Sequence, residues 1–134
     1  MKILGTVLLV LFATLSINSQ EFKFEQETID YGKIIKGSEG ERTFVFTNVG
    51  DAPLVIQSIK SSCGCTVPKK PEAPIMPGEK GEIKVSYDTK RIGGFSKQIT
   101  ILSNATTARK IVKIKGLVSN VALLEKEKSI LSNN

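Results

Sequence analysis

Alternation with a period of two constrains this chain more than any other feature. Phe44 and Phe46 alternate with Thr43, Val45 and Thr47, and Ile83, Val85 and Tyr87 alternate with Glu82, Lys84 and Ser86. Ile99 and Ile101 alternate with Gln98 and Thr100, and Val112, Ile114 and Val118 share parity against Lys113 and Lys115. Successive side chains of a strand point to opposite faces, so this pattern specifies strands with one buried face and one solvated face. Turn-forming residues separate them at 36–40, 48–53, 77–81, 91–94 and 104–107. Short strands at such intervals predict an all-β, antiparallel immunoglobulin-like sandwich of about seven strands. The same parity predicts a core of Phe44, Phe46, Leu54, Ile56, Ile83, Val85, Ile99, Ile101, Val112 and Ile114.

Two segments break the rhythm. Prolines at 68, 71, 74 and 77 remove ladder donors and predict an extended connection over 68–77, with no strand. Residues 119–134 form a tail in which Val121, Leu123, Leu124, Ile130 and Leu131 surround Glu125-Lys126-Glu127-Lys128. A frayed or short helix is expected there.

The chain opens with Lys2, an apolar run from Ile3 to Leu15, and a polar stretch ending at the small residue Ser19. The run is shorter than the roughly 20 residues that span a bilayer. A signal peptide over residues 1–19 is therefore expected, leaving one domain over 20–118 and the tail, in a periplasmic or extracellular compartment with no membrane span after cleavage. The formal net charge is +6, yet the lysines are dispersed and several alternate with apolar residues. A solvated outer face accounts for them, and with no Trp for a stacking platform no nucleic-acid role is expected.

Histidine is absent from the chain. That removes Ser-His and Cys-His couples and the imidazole general base. No pair of carboxylates is forced together by the pattern, so no catalytic residue, no enzyme activity and no cofactor are expected.

Only two cysteines occur, in Cys63-Gly64-Cys65. In extended backbone their Cα atoms would stand roughly 6.6 Å apart, at the upper end of disulfide reach, and Gly64 allows a bend that shortens the gap. Three states are open: a disulfide or redox pair, a Cu(I) site of Cys63, Cys65 and Met76, or two packed thiols. Asn48 and Gly50 predict one turn, with Gly50 free to take positive φ, and Pro77-Gly78 predicts another, all in structural roles.

The strings Phe44-Val45-Phe46-Thr47-Asn48-Val49-Gly50, Pro53-Leu54-Val55-Ile56, Ser62-Cys63-Gly64-Cys65-Thr66, Met76-Pro77-Gly78-Glu79-Lys80-Gly81, Gly94-Phe95 and Ile114-Lys115-Gly116 together resemble a known set. From about Thr28 to Val118 the chain resembles a bacterial family of secreted Ig-like domains of unknown function marked by a Cys-Gly-Cys signature. That sandwich is similar to the Hydin-like and major-sperm-protein-like branch of immunoglobulin-type folds. The resemblance implies a fold whose branch mostly serves as interaction modules, and no established activity. Together with the missing catalytic couples, a non-enzymatic module that contacts an envelope protein or glycan is expected, and the competing expectation is a thiol-disulfide or Cu(I)-handling protein.

Overall fold

The computed structural model describes residues 20–133; the expected leader, residues 1–19, lies outside them. The described strands are β1 (Phe22–Phe24), β2 (Thr28–Ile35), β3 (Glu41–Asn48), β4 (Ile56–Ser61), β5 (Thr66–Lys69), β6 (Lys80–Tyr87), β7 (Gly93–Ser103) and β8 (Arg109–Ser119). One helix, α1 (Val121–Ser132), follows. The strands form two four-stranded sheets, ordered β1-β3-β6-β5 and β2-β8-β7-β4.

The parity of the sequence is the parity of the core. Phe44, Phe46, Leu54, Ile83, Val85, Ile99, Ile101 and Ile114 are fully buried, and Ile56 and Val112 nearly so. Pairing Phe44 with Ile83 and Ile99 with Val112 puts apolar side chains on the same face of neighbouring strands. Both inner faces are therefore continuous, and packing them together removes them from water. Phe22 and Phe24 of β1 join this core through edge-on ring contacts with Phe46 and Phe44.

Three sequence expectations change. The expected sandwich stands, with eight strands among the described residues, but β2 pairs with β8 in parallel. A parallel partner cannot come from a hairpin, so nothing local announces it. Pro68 sits inside β5, paired with Val85, where a connection was expected. It is tolerated because β5 is an edge strand, where proline's missing N–H withdraws a donor from an open edge and discourages pairing with another chain. Gly50 does not take positive φ; among the described residues the positive-φ glycines are Gly32, Gly37, Gly78 and Gly93.

Gly78 shows why glycine is required at its position. Glu79 N donates to Met76 O at 3.0 Å, closing a turn with Pro77 and Gly78 at its centre, and Gly78 has φ of 80°. That is the backbone a type II turn demands of its third residue. Asn48, fully buried, ties this turn to the one that follows β3. Its Nδ2 donates to Ala52 O and Ile75 O at 2.8 and 2.9 Å, while its Oδ1 accepts from Gly50 N at 3.0 Å. Gly78 N also donates to Asn48 O at 2.8 Å.

The chain crosses between the sheets at the opposite end. The β2–β3, β4–β5 and β6–β7 connections meet there and are laced by backbone hydrogen bonds. Gly37 N donates to Thr89 O, Tyr87 N to Gly40 O and Asp88 N to Cys65 O, at 3.1, 3.0 and 2.9 Å. Gly40 must be glycine here, since a Cβ would fall 2.1 Å from Tyr87 O.

Candidate functional site

The cysteine turn occupies the β4–β5 crossing. Cys63 and Cys65 are joined by a disulfide with their Cα atoms 5.4 Å apart, well inside the usual range and closer than an extended strand would place them. Ser62 to Cys65 leave strand geometry between β4 and β5, and this bend supplies the shorter distance. Cys65 is buried and belongs to the core, whereas Cys63 is half-buried against its margin.

Hydrogen bonds hold the turn apart from the sulfurs. Ser61 Oγ donates to Cys63 O at 2.9 Å and accepts from Cys63 N at 3.2 Å, and Asp88 N fixes Cys65 O. Cys65 N lies 3.2 Å from Cys63 Sγ, with its N–H directed at that sulfur. Because the disulfide closes so short a loop, the chain-entropy model credits it with only about 1.6 kcal/mol, against about 3 kcal/mol for a 15-residue loop.

Met76 does not join the cysteines. Its turn precedes Lys80 at the start of β6, whereas Thr66, next to Cys65, pairs with Tyr87 at the end of that strand. The length of β6 puts about 23 Å between the two ends. A Cu(I) site of Cys63, Cys65 and Met76 therefore does not form within one molecule. Among the described residues no group of three or more His, Cys, Asp or Glu side chains could hold a metal ion.

Sequence reasoning missed a second feature on the outer face of the β2-β8-β7 layer. A shallow groove of about 610 Å³ is lined by Asp30, Gly32, Lys33, Gly94, Ser96, Lys115 and Leu117, with Phe95 and Gly116 beneath. Gly32 of β2 and Gly94 of β7 leave bare backbone where side chains would otherwise fill the trough. Lys115 lies 3.9 Å from Asp30 across its rim, and Lys33 pairs with Glu127 of α1 at 2.5 Å. Both pairs are solvent-exposed and add little to stability. The register of β2 against β8 shifts between Asp30 and Lys33, and this irregularity carries Gly32.

An aromatic cluster forms the underside of the groove. Tyr87 and Phe95 stack at 3.8 Å between ring centroids, and Tyr31 meets Phe95 edge-on at 5.2 Å. Gly116 makes room for both, since a Cβ there would fall 2.8 Å from Tyr31 Cβ and 2.9 Å from Phe95 Cζ. The Tyr31 hydroxyl donates to Gly40 O at 2.7 Å, and the Arg42 guanidinium stands 4.3 Å over its ring. Burial pushes the Tyr31 hydroxyl up to about 12, outweighing the opposing pull of Arg42, with Glu39 adding to the rise. Burial raises Tyr87 too.

A folded-state pKa above the unfolded one means that the Tyr31 contribution is complete below about pH 10 and is lost as pH climbs towards 12. The melting temperature should fall across that window. Tyr31→Phe should have a lower melting temperature at neutral pH, for want of the bond to Gly40, and a shallower alkaline decline. An unchanged decline in Tyr31→Phe would place the alkaline sensitivity elsewhere.

The fold is shared with solved structures at low identity. A protein of unknown function from Porphyromonas gingivalis W83 superposes with a TM-score of 0.68 at 17% identity, over 78% of this chain and 50% of that one. The chain thus spans half the length of that relative. The ASH/PapD-like domain 7 of human CEP192 gives 0.63 at 7% identity, over 81% of this chain and 92% of that domain. A chain of the CsuC-CsuE chaperone-tip adhesion subunit pre-assembly complex of Acinetobacter baumannii gives 0.53 at 14%, over 74% and 57%. These likenesses establish an immunoglobulin-like β-sandwich fold. No curated protein matches the sequence. A family model does match, over residues 22–118, from the first strand of the sandwich to the last, and on that evidence the chain belongs to the family described as protein of unknown function, DUF1573.

Proposed function

We propose that the chain is an exported, non-enzymatic interaction module of the bacterial envelope that receives a partner in the groove over β2, β8 and β7. The observation that carries this reading is the groove itself. Its floor is backbone left bare by Gly32 and Gly94, beside the exposed side of Leu117, and its rim holds Lys33, Lys115 and Asp30. Bare backbone and an apolar side chain offer contact area, while rim charges orient a ligand and add specificity. The rim carboxylate and amines lie in exposed ion pairs, an arrangement suited to recognition and lacking a nucleophile–base couple. The partner is an envelope protein or a glycan. Chaperones with the same sandwich support a protein, since the Acinetobacter complex is one of a chaperone with an adhesion subunit.

Export is part of the proposal, with cleavage near Ser19 and Gln20 and a periplasmic or extracellular product. Supporting it, the carbonyl of Gln20 accepts from Thr106 N at 2.8 Å, and Phe22 is in the core, so the residues just after the expected cut belong to the sandwich. Among the described residues no helix is long and apolar enough to cross a membrane. The Hydin-like and major-sperm-protein-like affinity and the Cys-Gly-Cys mark of its relatives belong to the same reading.

One experiment tests it. The full-length chain is expressed with its own leader, carrying a photo-crosslinking residue at Ser96 in the groove or at Glu82 on the exposed face of β6. Ser96 should give a discrete adduct that Glu82 does not, and the intact mass should place the mature start at or near Gln20. Protease or glycosidase treatment of the adduct tells protein from glycan. Identical adduct patterns at the two positions, or none at Ser96, would reject the groove as the binding site, and an uncleaved product would reject export.

A further inference from the structure

We propose that the Cys63–Cys65 turn is a thiol-disulfide exchange site, with Cys63 as the exchanging sulfur and Cys65 as the resolving one, acting on a dithiol or disulfide of another protein. This role is separate from binding in the groove and rests on different residues.

The two sulfurs are unequal in a way that gives each a task. Cys65 lies in the core, while Cys63 is half-buried at its margin, so Cys63 is the more accessible residue of the pair to an incoming chain. The N–H of Cys65 points at Cys63 Sγ from 3.2 Å. In the reduced protein that N–H donates to a thiolate on Cys63, and a hydrogen bond to the charged form favours it.

The turn also keeps its shape when the bond opens. Cys63 O is held by Ser61 Oγ, Cys63 N by the same hydroxyl, and Cys65 O by Asp88 N. None of these contacts involves a sulfur. Cycling between the two redox states therefore leaves the partners 5.4 Å apart at Cα and ready to close again. The disulfide closes too short a loop to matter much as a staple, so its placement is better suited to chemistry than to stability.

The steps balance. In the reducing direction the Cys63 thiolate attacks a substrate disulfide, forming a Cys63–substrate mixed disulfide and releasing one substrate thiolate. Cys65 then loses its proton and attacks Cys63 Sγ, which forms the Cys63–Cys65 bond and expels the second substrate thiolate. Two electrons pass to the substrate, whose thiolates take up two protons. In the oxidising direction a substrate dithiol runs the same path backwards, its first thiolate attacking Cys63 Sγ with Cys65 as the leaving thiolate.

The test uses glutathione disulfide as the probe. Cys65→Ser and Cys63→Ser are reduced with dithiothreitol, freed of reductant, exposed to glutathione disulfide and followed by intact mass. Cys65→Ser should accumulate a stable glutathione adduct at least about tenfold faster than Cys63→Ser. Reduced wild type should pass through the adduct to the internal disulfide and release free glutathione. Equal rates in the two variants, or a faster reaction at Cys65, would overturn the proposal, as would a wild-type disulfide that dithiothreitol opens only in denaturant. Circular dichroism checks that both variants fold. If one does not, limited iodoacetamide on reduced wild type settles the matter: alkylation first at Cys63 supports the roles given, and alkylation first at Cys65, or at both together, refutes them.

Discussion

Truncating Phe46 to alanine is expected to cost about 3 to 5 kcal/mol of unfolding free energy. The ring is fully buried, lies edge-on to Phe22 at 5.9 Å and tilted to Phe24 at 5.4 Å, and covers Gly81 so closely that a Cβ there would fall 2.4 Å from Phe46 Cζ. Removing it opens a void bounded by β1, β3 and β6 that backbone hydrogen bonding keeps from collapsing. Urea unfolding of the wild type and the variant measures the loss. A loss below about 1 kcal/mol would mean that the ring does not fill the space between the sheets. Val49→Ala, at a half-exposed position, should stay within about 0.5 kcal/mol and serves as the control.

Asn48→Ala should cost on the order of 3 kcal/mol, for a different reason. No large volume is lost. The carbonyls of Ala52 and Ile75 each lose a donor, and the N–H of Gly50 loses its acceptor, at a position with no access to water. Asn48→Asp separates this account from simple packing, because it conserves size and the acceptor for Gly50 while turning the donating amide into a carboxylate that faces two carbonyl oxygens. Burial and those oxygens raise its pKa, so its stability should be highest in acid and fall as pH rises through the carboxyl's folded-state pKa. Equal stability of Asn48→Asp and wild type at neutral pH would show that the two donated bonds contribute nothing.

These two residues mark the boundary of what was legible in the chain. Phe46 was visible because burial in a strand follows parity, and parity is written locally. Asn48 was visible only as a turn former. Its role as a tie between the β3–β4 turn and the loop before β6 depends on Ile75, which lies 27 residues away. The Met76–Glu79 turn was legible for the opposite reason: proline and glycine each restrict or free a dihedral within one peptide unit.

The cysteines divide in the same way. Their proximity was fixed by a spacing of two, but extended geometry predicts a wider separation than the turn provides. Their unequal burial, and the N–H aimed at one sulfur, follow from the way β4 hands the chain across to β5. The grouping of Met76 with them failed because sequence closeness to a proline loop says nothing about which end of the sandwich that loop reaches.

By itself, then, the sequence determined the alternating strands β3, β6, β7 and β8, the faces they bury and the turns that Pro77-Gly78 and Asn48 form, since each depends on dihedral preferences or on the alternation of neighbouring side chains. Tertiary structure alone decided that β2 lies parallel to β8, that Pro68 falls on an open edge, that Gly32 and Gly94 converge to bare a groove, and that Cys63 sits half-buried at the margin of the core while Cys65 is buried in it. Each of those outcomes joins segments far apart in the chain, and their pairing is selected by the packing of two complete sheets, which no local pattern encodes.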